Sequence, residues 1–322
     1  LEMKDVQKRY GSLHVVRDFD LHVQPGEFVT FLGPSGSGKT TALKMIAGFE
    51  TPSSGDIFLD GRSIVDLPPY ERGIGMVFQN FARALQLVKM EDYGGRYPNQ
   101  LSGGQQQRIA LARAIVFDPS ILLMDEPLGA LDRNLREHMK SEIMRIQQEL
   151  DITVIFVTHD QEEALTMSDR IAVINEGRLV QVADSEGLYN RPANRFVASF
   201  VGESNMFPCR VDEAGDGLAR VTIADATRGQ ARLSGQAKGD PGWLFVRPEH
   251  IDIDAPAAAT GGRNTLSGEV ETALFLGEMS RYTVRCGPVS VAVKRQNQGR
   301  NRFPAGSAVT LTWDPENCVV LD

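Results

Sequence analysis

The sequence is poor in cysteine: Cys209, Cys286 and Cys318 are the only three among 322 residues, and they lie far apart. That spacing excludes a disulfide scaffold and a paired metal site, and a reducing, cytosolic compartment is the simplest expectation. Long apolar runs are also missing. Nothing approaches the ~20 residues that a membrane-crossing helix needs, and the best stretch, 152–157, reads as a buried strand. The opening Leu1-Glu2-Met3-Lys4-Asp5 holds no apolar leader core and no initiator methionine, so a few residues ahead of it are expected to be missing. Excess positive charge is absent too. The net charge of −8 argues against nucleic acid as the main partner. What remains, 42% apolar and 24% charged, is an ordinary globular mixture. At this length two domains are expected.

The most informative stretch present is Gly33-Pro34-Ser35-Gly36-Ser37-Gly38-Lys39-Thr40. It fits G-x-x-x-x-G-K-[ST], the phosphate-binding loop of nucleotide hydrolases. The apolar run 28–32 precedes it, and a helical stretch opening on Thr41 follows. Glycines let backbone amides turn inward around phosphate oxygens. A helix N-terminus adds unpaired N–H groups and a positive dipole end. In this motif Lys39 reaches the β- and γ-phosphates and Thr40 holds Mg²⁺. A plain Gly/Ser-rich turn before a helix is the bland alternative.

The pattern divides the chain in two. Up to about residue 203 it alternates strands and helices, as in an α/β domain around a largely parallel sheet. Residues 56–59 close on Asp60-Gly61 as a hairpin, and 121–124 and 152–157 read as buried strands. Leu131, Leu135, Met139, Ile143, Ile146 and Leu150 recur at helical spacing between them. From 204 to 322, short alternating segments separated by Gly, Pro, Asn and Asp predict a small all-β barrel or sandwich. Cys286 falls on the inward side of one such segment, where core packing explains it better than chemistry.

Two further clusters carry chemistry. Met124-Asp125-Glu126-Pro127 ends a strand at the edge from which the phosphate loop also leaves. There Asp125 is placed to orient Mg²⁺ and Glu126 to polarise an attacking water. Leu101-Ser102-Gly103-Gly104-Gln105 opens a predicted helix with a capping box, Ser102 with Gln105. The two glycines in its first turn weaken the helix, a cost that fits close approach of an anion to the backbone.

Phosphate loop, Gln79, Leu-Ser-Gly-Gly-Gln, Met-Asp-Glu-Pro and Thr158-His159-Asp160, in that order, resemble the ATPase subunit of an ATP-binding-cassette (ABC) transporter over essentially the whole chain. The resemblance implies an α/β P-loop NTPase domain, 1–203, and a C-terminal all-β OB-like barrel, 204–322. It implies ATP and Mg²⁺ as cofactors. Gly33, Pro34, Ser35, Gly36, Ser37, Gly38, Lys39, Thr40 and Thr41 then bind nucleotide, and Tyr10 resembles the residue that stacks on adenine. Thr40, Gln79 and Asp125 would serve the metal. Glu126, His159 and Gln79 would act in catalysis. Ser102, Gly103, Gly104, Gln105 and the D-loop residue Asp132 would face the nucleotide of a second copy in a head-to-tail homodimer.

The barrel segment 246–251, Val-Arg-Pro-Glu-His-Ile, resembles the accessory module of importer ATPases, and 190–205 is most similar to the spermidine/putrescine group. That implies transmembrane permease subunits, an indirect solute receptor, and a place on the inner face of the cell membrane. Sugar or ferric-iron import by the same subunit type, or a soluble ABC ATPase acting on DNA or ribosomes, are the alternatives. The long coiled coils of DNA-acting relatives and the second cassette of ribosome-acting ones are both absent. One departure stands out: only residues 80–101 separate Gln79 from Ser102, where the family carries a longer helical subdomain that docks on membrane subunits. Either most of it is lost, or two pieces are joined across a gap at Phe81/Ala82. The second is the expectation.

Overall fold

The computed structural model describes residues 1–74, 119–129, 131–214, 218–223, 227–256, 262–297 and 303–322, with isolated residues between 93 and 109. Gln79, Ser102, Gly103, Gly104 and the Phe81/Ala82 junction lie outside the described residues. The chain divides into two compact units, Leu1–Ser185 and Glu186–Asp322.

In the first unit, β1 (Glu2–Tyr10), β2 (Leu13–His22), β4 (Ser54–Leu59) and β5 (Arg62–Ser63) form a sheet ordered β2-β1-β4-β5. The 56–59 hairpin is there, with Leu59 opposite Arg62. A second sheet, ordered β6-β7-β3-β8-β9, holds β3 (Phe28–Leu32), β6 (Ile121–Asp125), β7 (Thr153–Thr158), β8 (Arg170–Asn175) and β9 (Arg178–Ala183). Its first four strands run parallel and β9 antiparallel. The helices are α1 (Lys39–Ala47), α2 (Arg133–Leu150) and α3 (Gln161–Met167).

Strand alternation sorts the core onto the two faces of this sheet. Val29, Phe31, Ile155 and Val157 pack with Met45 and Ile46 of α1 and with Phe19 and Ile57 of the other sheet. Phe28, Val154 and Phe156 pack with Met139, Ile143 and Ile146, the stripe expected on α2. All of β3 and β7 is buried, which is why both read as continuous apolar runs. Each fully buried large side chain contributes about 1.5–3 kcal/mol. Since β6, β7 and β3 lie side by side, their carboxyl ends bring Asp125, Thr158 and the phosphate loop to one edge.

The second unit begins with two short helices, α4 (Ser185–Asn190, its first residue in the other unit) and α5 (Arg195–Phe200). The sequence boundary expected near 203 and the division at Ser185/Glu186 differ by these helices. Then β10 (Asn205–Glu213), β11 (Ala219–Ile223), β12 (Thr227–Leu233), β13 (Pro241–Val246) and β19 (Cys318–Leu321) close a barrel ordered β10-β11-β12-β19-β13. A separate sheet, β14-β18-β15-β16-β17, holds β14 (Asp252–Asp254), β15 (Asn264–Phe275), β16 (Met279–Cys286), β17 (Val289–Gln296) and β18 (Ala308–Trp313). Phe207, Val221, Val284, Leu311 and Trp313 share its core. The three cysteines are free and buried. Burial pushes the Cys286 thiol up to about 11, which keeps it an inert packing group.

Candidate active site

The phosphate loop bridges β3 and α1, and its glycines are there for space as well as for dihedral freedom. Gly38 has φ of 102°, and a Cβ on it would stand 2.7 Å from the Val15 carbonyl oxygen. Gly33 lies so close to Ile174 that a Cβ would come within 2.2 Å of its carbonyl oxygen. A Cβ on Gly36, at φ 79°, would meet nothing within 4 Å, so the loop face is open there. The Ser37 carbonyl accepts from Gly177 N–H at 3.0 Å, which ties the loop to the turn after β8. The Ser37 hydroxyl is buried and has no hydrogen-bond partner. Pro34 is half-buried and Ser35 exposed.

Lys39 opens α1 and is 4% exposed. Its Nζ donates to the carbonyls of Gly33 at 2.8 Å and Pro34 at 3.0 Å. Burial lowers its pKa, opposed by the charges of Glu126 and Asp125. The next residue, Thr40, donates through Oγ1 to Asp125 Oδ1 at 3.1 Å. Thr41 is half-buried one position further on.

Asp125 ends β6 and Glu126 follows it in the left-handed region, at φ 45°. For a residue other than glycine that conformation costs roughly 1–2 kcal/mol. Backbone bonds offset it: Glu126 N–H donates to Val157 O at 3.0 Å, and Gly129 N–H donates to Glu126 O at 3.3 Å. The twist sets the carboxylate beside the end of β7, where Glu126 Oε1 is 3.3 Å from His159 Nδ1. Both side chains are exposed, at 44% and 57%. Lys39, Thr40, Asp125, Glu126 and His159 therefore converge at one edge.

Tyr10 ends β1 and is 46% exposed, with Lys8 Nζ 4.8 Å from its ring centre. Partial burial and a hydrogen bond with Glu50 raise its pKa. Asp132 caps α2, accepting from Leu135 N–H at 3.0 Å. Gln105 is helical and half-buried.

Sequence reasoning missed the groups behind His159. Thr158 donates to Glu163 Oε2 at 2.6 Å and accepts from Asp160 N–H at 3.0 Å. Asp160 caps α3, accepting from Glu162 and Glu163 N–H. Arg136 of α2 stands 3.5 Å from Asp160 Oδ2 and 3.8 Å from Glu163 Oε1. Burial raises the Glu163 pKa, against its bond from Thr158 and the charge of Arg136. The signal was present as a D-x-x-E helix start, Asp160 with Glu163.

Residues 16–129 match the model of the ABC transporter family, and 244–321 match the TOBE domain. Among curated proteins, the spermidine/putrescine import ATP-binding protein PotA of Rubrobacter xylanophilus is 41% identical, covering 100% of this chain and 93% of its own length. Its counterparts in Pseudomonas fluorescens and Pseudomonas aeruginosa are 40% and 42% identical, each covering 100% of this chain and 96% of theirs. The Rubrobacter alignment spans 356 positions against 322 residues here, leaving at least 34 of them opposite gaps in this chain.

Two solved structures of the cassette MJ0796, both dimeric, are similar at a TM-score of 0.51. One, in a post-hydrolysis state with ADP and Pi, is 30% identical, and the other is 32% identical. Each covers 57% of this chain and 98% of its own. The cassette MJ1267, at 19% identity and a TM-score of 0.56, shares the fold. With this edge geometry and these full-length matches, the chain belongs to the ABC transporter family as an ATP-binding-cassette ATPase that carries a TOBE domain.

Proposed function

We propose that this ATPase energises import of a polyamine-type solute by closing head to tail on a second copy of itself. The observation that carries the solute is the full-length match, at 40–42% identity, to proteins named for spermidine and putrescine import. Closure draws support from the dimeric form of the related cassettes.

In this reading the backbone N–H groups of the loop 33–41, where Pro34 has none to give, and the Lys39 ammonium hold the phosphates, and Tyr10 stacks on the base. The Lys39 bonds to Gly33 and Pro34 carbonyls are the ones a phosphate would replace. Thr40 and Asp125 present two hard oxygen donors 3.1 Å apart. That donor set suits Mg²⁺, which takes one or two protein oxygens and completes its shell with phosphate and water. When bound, the ion neutralises charge on the phosphate oxygens. Gln79 would join it from outside the described residues. Glu126 orients the attacking water and His159 meets the γ-phosphate. Phosphoryl transfer needs mainly positioning and charge stabilisation. Ser102, Gly103, Gly104, Gln105 and Asp132 of each copy would complete the site of the other.

The functional domains in this proposal are 1–203 for ATP and 204–322 for accessory contacts. Among the described residues no helix is long and apolar enough to cross a membrane, which fits a peripheral subunit on the cytoplasmic face, docked on transmembrane permease subunits. Docking would fall to residues 80–101.

The full chain, reconstituted with polyamine permease subunits and their solute receptor, should hydrolyse ATP several-fold faster when spermidine or putrescine is added. Sugars and ferric iron should leave the rate unchanged. Stimulation by one of those instead, or a rate indifferent to membrane subunits, would overturn the assignment.

A further inference from the structure

We infer that Arg136 is a positioning residue that ties the dimer-facing loop at Leu131-Asp132 to the His159 turn, through Asp160, Glu163 and Thr158. The inference rests on the proposed role of His159.

The connection is continuous. Arg136 Nη2 donates to the Leu131 carbonyl at 3.1 Å, one residue before the Asp132 cap of α2. The same guanidinium faces the two carboxylates that open α3, Asp160 at 3.5 Å and Glu163 at 3.8 Å. Glu163 is 4% exposed at its side chain, so this charge is held in a setting with little water to screen it. Its other oxygen takes the Thr158 hydroxyl, and Thr158 receives the Asp160 amide. His159 lies between those two anchored residues, with its ring free to face Glu126.

Arg136 Nε is buried without a hydrogen-bond partner, aimed at Glu163 across 3.8 Å. That distance is an ion pair with slack, longer than a hydrogen bond. A small shift of the Leu131-Asp132 loop on dimer closure would carry the guanidinium into hydrogen-bond range and move the His159 turn with it. Arg suits the task because its planar fork serves a carbonyl and two carboxylates at once, which an ammonium does not.

The test uses the full chain. Arg136→Gln should lower single-turnover ATP cleavage by roughly ten- to a hundredfold, the cost of misplacing a reacting group by about 1 Å. Affinity for a fluorescent ATP analogue should stay within about twofold, since nothing in the phosphate loop changes. Arg136→Lys should recover only part of the loss. In a His159→Ala background, Arg136→Gln should cost little more, because both act through one group. Independently of activity, the His159 ring signal in NMR should shift in Arg136→Gln and in Glu163→Gln.

Multiplying losses in the double variant, or equal loss of affinity and turnover, would overturn the link. So would an unmoved His159 signal in either variant. If His159→Ala itself keeps normal turnover, the role proposed for His159 falls. If His159→Ala abolishes turnover while Arg136→Gln leaves it intact, only the link falls.

Discussion

At the residue scale, the phosphate loop depends on what its glycines leave out. Gly38 combines a left-handed φ of 102° with a neighbouring carbonyl 2.7 Å from where a Cβ would stand. A left-handed alanine alone costs roughly 1–2 kcal/mol, and the contact with Val15 adds to it because backbone cannot swing aside. Gly38→Ala should therefore displace the start of α1 and weaken ATP binding at least tenfold, about 1.4 kcal/mol. Titration with a fluorescent ATP analogue checks this, with circular dichroism showing that helix content is kept. Unchanged affinity would contradict the claim that this approach shapes the loop. These residues were legible in the sequence because motif chemistry is local. Spacing alone could not show that Lys39 rests on its own loop's carbonyls, or that Glu126 adopts a left-handed backbone to meet His159.

At the scale of elements, the Arg247 guanidinium fixes α4 and α5 against the barrel. It is fully buried, donating to Tyr189 O at 2.8 and 3.1 Å, to Ala198 O at 3.2 Å and to Glu203 O at 3.0 Å. Its Cζ lies 3.9 Å from the Tyr189 ring centre and 4.7 Å from that of Phe245. Ala198 adds apolar packing on Phe245 and Leu321. Arg247→Met would fill much of the volume but take this donor from the buried Ala198 carbonyl and from the part-buried Tyr189 and Glu203 carbonyls, an unsatisfied buried carbonyl costing about 1–3 kcal/mol. The expected loss is about 3 kcal/mol or more. Trp243 and Trp313, the two tryptophans of the chain, both lie in this unit. Their fluorescence through a guanidinium chloride unfolding curve reads the loss directly. A change under about 0.5 kcal/mol would remove Arg247 from this role. Sequence pattern placed these helices with the ATP-binding half because it sees runs of elements. Packing groups them with the barrel through one arginine whose partners lie 44 to 58 residues away.

For the whole molecule, the parallel sheet was legible because each strand is a short apolar run followed by a helix or turn signal. The closed barrel was legible only as a class. Its closure rests on β12 pairing parallel with β19, Arg232 opposite Val319, across a long sequence separation that no local pattern records. The second sheet was likewise merged with it, since alternation marks strands without saying which sheet they join. The candidate site assembles on this scale as well. Lys39, Thr40, Asp125, Glu126 and His159 come together because β3, β6 and β7 are neighbours in register. In the proposed function they form one side of a nucleotide site, and a second copy supplies the other. In that proposal closure is driven by binding ATP and ended by its hydrolysis, so a variant that binds without cleaving should hold the closed state. The most direct test is sedimentation of full-length Glu126→Gln with and without ATP, alongside its hydrolysis rate. The expected result is an ATP-dependent dimer with turnover lowered by at least about a hundredfold, the loss expected for a group that activates the attacking water. A chain that stays monomeric with ATP, or that turns ATP over at a near-normal rate, would contradict it.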